Sequence, residues 1–346
     1  MKLQELLGTE LPIVQAPMAG AQGSALAAAV SNAGGLGSLP CALLGPEAMR
    51  KELAAIRSAT DRPYNVNFFC HVQPQADARR EAAWRAALAP YYAEYGLDAR
   101  AIPAGPTRAP FDAAAAAVLE EFRPAVVSFH YGLPAPELLA RVKRLGAKVL
   151  CTATTLDEGL WLEAHGADAV IAQGLEAGGH RGHFLADDLS AQLGTFALVP
   201  QLARSLKLPV IAAGGIADAD GVAAALALGA AGAQVGTAYL LCPEATVAPL
   251  YRAALKSGTA RHTALTNVFT GRPARAIVNR LVRERGPFHA DAPAFPLAAA
   301  AVMPLRAKAE ERGAADFSAF WAGQNTSGCR ERPAAELTRA LAARLR

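Results

Sequence analysis

Residues 209–237 read PVIAAGGIADADGVAAALALGAAGAQVGT, and the architecture turns on this stretch. Pro209–Ala213 is an unbroken apolar run that Gly214-Gly215 interrupts. Ala219–Leu228 is rich in alanine, the best helix former, and stops at Gly229; Ala233–Gly236 then makes a second short strand, followed by Thr237. A glycine just past a helix takes up the left-handed conformation with no Cβ penalty. Strands that are apolar without alternation are covered on both faces, as parallel strands wrapped by helices are. The stretch therefore reads as one strand–helix–strand unit.

Outward from it the unit recurs. The pattern predicts strands at Ile13–Ala16, Leu36–Leu39, Asn65–Phe69, Ala125–Phe129, Lys148–Thr152 and Ala169–Ala172, with helices at Ala25–Val30, Pro46–Arg57, Glu137–Leu145 and Leu156–His165. Eight strands in about 240 residues point to a closed barrel. An open doubly wound sheet would carry G-x-G-x-x-G near its first strand, whereas Gln15-Ala16-Pro17-Met18-Ala19-Gly20 stands there. The expected fold is α/β, a TIM (β/α)8 barrel with a cap segment inserted after the eighth strand. The barrel is assigned to 1–242, the cap to 243–297, and a C-terminal helical segment packing back on the barrel to 298–346, with a closing helix at Ala298–Gly313. His71–Pro124 is too long for an ordinary connection and holds a helical region bearing Trp84, Tyr91, Tyr92 and Tyr95.

Charge is balanced, 34 basic against 30 acidic residues for a net +4, so nothing points to nucleic acid or a membrane surface as partner. Arg339, Arg344 and Arg346 read as a solvated helix face. Cys41, Cys70, Cys151, Cys242 and Cys329 are odd in number and far apart, which predicts free thiols in a reducing cytoplasm and no metal site. No uncharged run reaches the ~18 apolar residues of a membrane span, and the opening MKLQELLGTELPIVQAPM does not read as a secretory leader.

Ligands of such barrels sit where the strands end. Pro17-Met18 follows the first strand, Asn67 lies in the third with His71 just beyond, His130 follows the fourth, Gln173-Gly174 the sixth, Gly214-Gly215 the seventh and Gly236-Thr237 the eighth. The last two turns lie where these barrels hold phosphate, and their bare amides can approach an anion unobstructed. Gly178-Gly179-His180-Arg181-Gly182 reads as a flexible loop carrying a base and a cation, with His130 as a second strand-end imidazole. His71 is a candidate for support only; His165, His183, His262 and His289 have no comparable context. These residues do not by themselves separate a flavin from a phosphorylated substrate.

Pro12-Ile13-Val14-Gln15-Ala16-Pro17-Met18, Asn65-Val66-Asn67-Phe68-Phe69-Cys70-His71, Ser128-Phe129-His130-Tyr131-Gly132, Glu176-Ala177-Gly178-Gly179-His180-Arg181-Gly182, Ala213-Gly214-Gly215-Ile216, Gln234-Val235-Gly236-Thr237 and Trp321-Ala322-Gly323-Gln324 follow one another in order. Together they resemble the nitronate monooxygenase family, formerly 2-nitropropane dioxygenases. The resemblance implies FMN, held by Ala16, Pro17, Met18, Asn67, Gln173, Gly178, Gly179, Gly214, Gly215, Gln234, Val235, Gly236 and Thr237. It implies His180 as the base for neutral nitroalkanes and His130 beside the flavin; Arg181 joins them as a cation favouring an anionic substrate. The implied reaction oxidises an alkyl nitronate with O2, through a flavin semiquinone, to a carbonyl compound and nitrite, in a monomer or homodimer. Propionate 3-nitronate is a plausible substrate by the same resemblance. The alternatives are an NAD(P)H-dependent FMN reductase of the quinone or enoyl-ACP reductase type, and a phosphate-ligand binder without flavin. Some members carry two tyrosines and a lysine on the closing segment; here residues 294–308 hold no tyrosine, and Lys308 alone is a candidate equivalent.

Overall fold

A computed structural model describes residues 2–102 and 108–345. Eight parallel strands form one sheet: Ile13–Gln15, Gly37–Pro40, Tyr64–Phe69, Val126–His130, Lys148–Ala153, Ala169–Gln173, Val210–Ala213 and Gly232–Val235, called here the first to eighth barrel strands. Each matches an expected strand to within one residue at either end. The sheet closes between the first two: Leu36 N donates to Ile13 O (2.8 Å) and Gln15 N to Leu36 O (2.9 Å). The (β/α)8 barrel read from the sequence is the fold.

Period-two alternation splits the strand residues between two cores. Val14, Leu150, Ile171 and Ile211 point into the barrel, while Val66, Val127, Val149 and Val170 face the helical ring. Leu3, Leu6 and Leu7 of the short helix Leu3–Leu7 join the interior group and plug the end where the strands begin. The other end, where the strands finish, stays available for a site. The helix Thr195–Ser205 between the sixth and seventh strands escaped the sequence reading, because Pro200 inside it removes a backbone donor and reads as a breaker. It holds because Leu198, Val199 and Leu202 are fully buried against the barrel.

Three distant segments cover the open end. Thr263–Thr266 and Ala274–Ile277 form an antiparallel pair, and Gly179–His180 adds to its edge through Ala274 and Arg275. The loop after the sixth strand, expected to be flexible, is thus held by backbone pairing to a segment ninety-odd residues away. Helix Ala78–Tyr95 and helix Ala299–Glu311 pack together in a second core of Trp84, Leu88, Tyr91, Tyr92, Val302 and Leu305. The Tyr92 hydroxyl donates to Ala301 O at 2.7 Å. The aromatic helical region of His71–Pro124 therefore forms one half of this second core, while helix Ala113–Phe122 packs on the barrel's outer face. Helix Ala334–Leu341 returns to the barrel, where Leu337 and Leu341 bury beside Leu26, Val30 and Val222. Arg344 pairs with Asp220 at the surface, while Arg346 lies outside the described residues. Among the described residues no helix is long and apolar enough to cross a membrane.

Candidate active site

A cavity of about 450 Å³ lies at the strand ends. One of its walls is nearly free of side chains. Gly214 and Gly215 have φ of +119° and +74°, a region where only glycine is unstrained. A Cβ on Gly214 would lie 2.8 Å from Thr195 Oγ1 and 3.0 Å from Ala177 N, so the turn is also packed too tightly for any other residue. Ala213 sits beside Gln234 in the paired seventh and eighth strands, which brings the Gly236-Thr237 turn next to the first. Ala16, Pro17 and Met18 complete this wall from the first strand, with Ala16 Cβ 3.2 Å from where a Gly236 Cβ would stand. Gln234 also faces the cavity, and its Oε1 is buried with no hydrogen-bond partner among the described residues.

A third side comes from near the C-terminus. Gly323 N donates to Thr237 Oγ1 (3.0 Å), Gln324 N to Glu176 O (2.9 Å) and Asn325 Nδ2 to Gly215 O (2.9 Å). A Cβ on Gly178 would lie 2.6 Å from Gly323 N, so that glycine is needed for the close approach of two backbones. Val235 is a correction to the expected set. Its side chain is buried in the outer core and its carbonyl accepts from Ala16 N (2.8 Å), which leaves nothing of it facing the cavity.

The opposite wall holds the imidazoles. His180 Nε2 lies 2.9 Å from Thr270 Oγ1, and the ring packs against Phe295 and Trp321 at 5.2 and 5.0 Å. His130 Nε2 lies 3.2 Å from His180 O and Nδ1 lies 3.0 Å from Thr152 Oγ1. A carbonyl only accepts, so His130 carries its proton on Nε2 and its Nδ1 accepts from the Thr152 hydroxyl. Gln173 Nε2 donates to the same His180 carbonyl (2.9 Å) while its Oε1 accepts from Gly182 N (2.8 Å). His130 and Gln173 thus fix the backbone that aims His180. Asn67 stands beside them, donating to Ser128 Oγ at 3.0 Å. Burial above all pushes the His130 pKa down to about 3. Burial, then the cations Arg108 and Arg272 and the neighbouring imidazoles, hold His180 well below the usual histidine range. Both rings are neutral near pH 7.

Arg181 is the second correction. It is wholly buried, outside the cavity lining, and donates to Gln192 Oε1 (2.7 Å), Gly174 O (2.6 Å) and Gln173 O (2.7 Å). Its donors are spent on stitching the loop rather than on a ligand. His71 sits behind the wall, buried edge-on to Phe295 at 4.9 Å and close to the Arg108 backbone. The sequence reading missed Thr270, Phe295 and Arg108. Thr270 had a usable signal: it precedes Gly271, whose φ is +91° and whose Cβ would lie 1.9 Å from Pro293 O. Arg108 sits in the long insertion with no motif around it.

The nitronate monooxygenase family model matches residues 1–343. The chain belongs to the nitronate monooxygenase family. It is accordingly an oxidoreductase, of a family of flavoenzymes. The nitronate monooxygenase of Paraburkholderia phytofirmans is 46% identical over 341 residues, covering 98% of this chain and 93% of that one. Among solved structures, nitroalkane oxidase from Streptomyces ansochromogenes matches with a TM-score of 0.88 at 42% identity, over 99% of this chain and 97% of that one. FabK from Thermotoga maritima matches with a TM-score of 0.72 at 29% identity, over 99% and 95%. This family member turns Ala299, Val302, Met303 and Arg306 of its closing helix toward the cavity, whereas Lys308 points away and pairs with Glu311 at 2.7 Å.

Proposed function

We propose that the chain binds FMN and oxidises alkyl nitronates, and nitroalkanes after deprotonation, with O2 to carbonyl compounds and nitrite. One observation carries the reading: a wall of bare glycine backbone and a wall of two neutral imidazoles face each other across a single cavity. The glycine wall suits the phosphate of FMN, because unobstructed amides at adjoining strand ends can gather on a dianion. Gly214, Gly215, Gly236 and Thr237 would hold that end. Ala16, Pro17, Met18, Asn67, Gln173, Gly178 and Gly179 would flank the rest. The fit is tested by Gln234, whose buried, unpartnered Oε1 is an acceptor in need of a donor such as a ring N–H. The bound flavin supplies one-electron and O2 chemistry.

The chain's own residues supply the rest. His180, neutral and anchored through Thr270, takes the acidic C–H proton of a neutral nitroalkane; a nitronate arrives without it. His130 and Gln173 hold the His180 carbonyl and so the direction of its ring. Segment 243–297 serves as a cap that keeps water from the reacting centre. The substrate is a small molecule with O2 as second substrate, propionate 3-nitronate among the candidates, and the working unit is a monomer or homodimer in the cytoplasm.

The test is a spectrum of the purified protein followed by anaerobic mixing. Flavin bands that bleach with a nitronate and stay unchanged with NADH or NADPH, together with oxygen uptake driven by the nitronate, are expected. Rapid bleaching by a reduced nicotinamide would assign the chain to the reductase alternative. Protein unable to take up added FMN would remove the flavin altogether.

A further inference from the structure

Arg108 lies on the same cavity, in the insertion after the third strand. Its guanidinium carbon stands 5.5 Å from the Phe295 ring centre and 6.0 Å from that of Phe69. The same two rings flank His180, at 5.2 and 6.2 Å. Cation and imidazole therefore share two aromatic partners, and after burial the Arg108 charge is the strongest electrostatic influence on His180.

The other arginines around this site are occupied. Arg181 and Arg275 donate to backbone carbonyls, Arg272 donates to the His183 carbonyl and lies over Tyr131, and Arg306 donates to Glu310 at 2.8 Å. Arg108 differs. Among the described residues no carboxylate pairs with it and its guanidinium donates no hydrogen bond; the Phe69 and Phe295 rings meet it, with the Tyr131 phenol as an electrostatic neighbour. A half-buried cation without a counter-ion is unfavourable until an anion arrives. The planar fork of a guanidinium matches a planar group with two oxygens sharing one negative charge. A carboxylate has that shape, and so does a nitronate, whose C=NO2⁻ unit is planar and singly charged.

We propose that Arg108 is the specificity-determining anchor of the site, gripping the two-oxygen anion of the substrate beside His180 and favouring organic anions over neutral molecules of the same size. This rests on the nitronate reading above and adds a residue to it. The depressed basicity of His180 fits, since the guanidinium is the first electrostatic cause after burial and an arriving anion offsets it.

The experiment uses the FMN-loaded full chain and propanoate as a non-reacting planar anion. Propanoate is expected to compete with nitronate in the unmodified enzyme and to bind with a dissociation constant measurable by calorimetry. Arg108→Gln is expected to weaken propanoate binding and raise the nitronate KM by about ten-fold or more, with kcat and the KM of a neutral nitroalkane within about three-fold, and Arg108→Lys is expected to recover part of the loss. A residue that merely supported the fold would move both substrates and kcat together and leave the anion selectivity unchanged. Absence of competition in the unmodified enzyme overturns the proposal without any variant. Unchanged propanoate and nitronate affinity in Arg108→Gln overturns it while nitronate oxidation stands. Arg108-dependent propanoate binding in an enzyme that consumes no nitronate sinks the nitronate reading and leaves the anchor in place.

Discussion

The two walls of the cavity are built on opposite plans. The glycine wall presents backbone, and its shape comes from what is missing: Gly214, Gly215 and Gly236 leave amides bare, and at the first two any side chain would strain the turn. The imidazole wall presents side chains, and each is fixed by another from far along the chain. His180 is held by Thr270 ninety residues on, and its carbonyl by His130 fifty residues back. A backbone wall binds without regard to protonation state, whereas an imidazole wall is sensitive to charge. The first suits a cofactor that stays and the second a substrate that reacts.

The sharpest way to break this comparison acts on the imidazole wall. His180→Asn is expected to cut neutral-nitroalkane turnover by about 10²–10⁴-fold, the usual worth of a positioned base, while nitronate turnover falls far less. Steady-state kinetics on the two substrates decide it, and equal losses on both would remove the base role. On the glycine wall, Gly215→Val places a β-branched residue at φ +74° and costs about 1–3 kcal/mol of strain, enough to weaken FMN about ten- to hundred-fold. Flavin retained per mole of protein after dialysis measures it, with His180→Asn as the control expected to keep its flavin. Full occupancy in Gly215→Val would mean that the phosphate lies elsewhere.

The smallest effect expected is on pH. His71 is held near about 4 and His130 near about 3, chiefly by burial, with His180 also low. Each therefore has a folded pKa below its unfolded value of about 6.5. The unfolded chain takes up protons first as pH falls, so the stability from these neutral rings is complete above that value and declines from there toward about 4 for His71 and about 3 for His130. The loss is about 0.7 kcal/mol per histidine between pH 7 and pH 6. Urea midpoints across that range test it, and a midpoint that rises on acidification would show the rings to be charged in the folded state.

The barrel was legible residue by residue because its signals are local. A strand covered on both faces must be apolar, and a helix must stop, so Val210–Ala213 and Gly229 announce themselves within a few positions. The glycine turns were legible for the same reason, since glycine is the one residue whose absence of a side chain is itself information. Arg181 was misjudged because adjacency to His180 in a strand-like segment says nothing of direction: successive side chains point to opposite faces, and Arg181 turns inward to the loop carbonyls. Val235 failed alike, one position from Gln234 and on the opposite face.

By itself the sequence determined that this chain closes eight parallel strands into a barrel and ends two neighbouring strands in bare glycine turns, because periodicity and backbone freedom are properties of short segments. Only the tertiary structure decided that helix Ala78–Tyr95 packs on the closing helix that lines the cavity, that Gly179–His180 pairs with Ala274 and Arg275, and that Arg108 and His180 flank the same aromatic rings. Those are meetings between segments tens to hundreds of residues apart. Buried area, backbone pairing and unpaired charge select such meetings once the chain has closed, and no local pattern carries them.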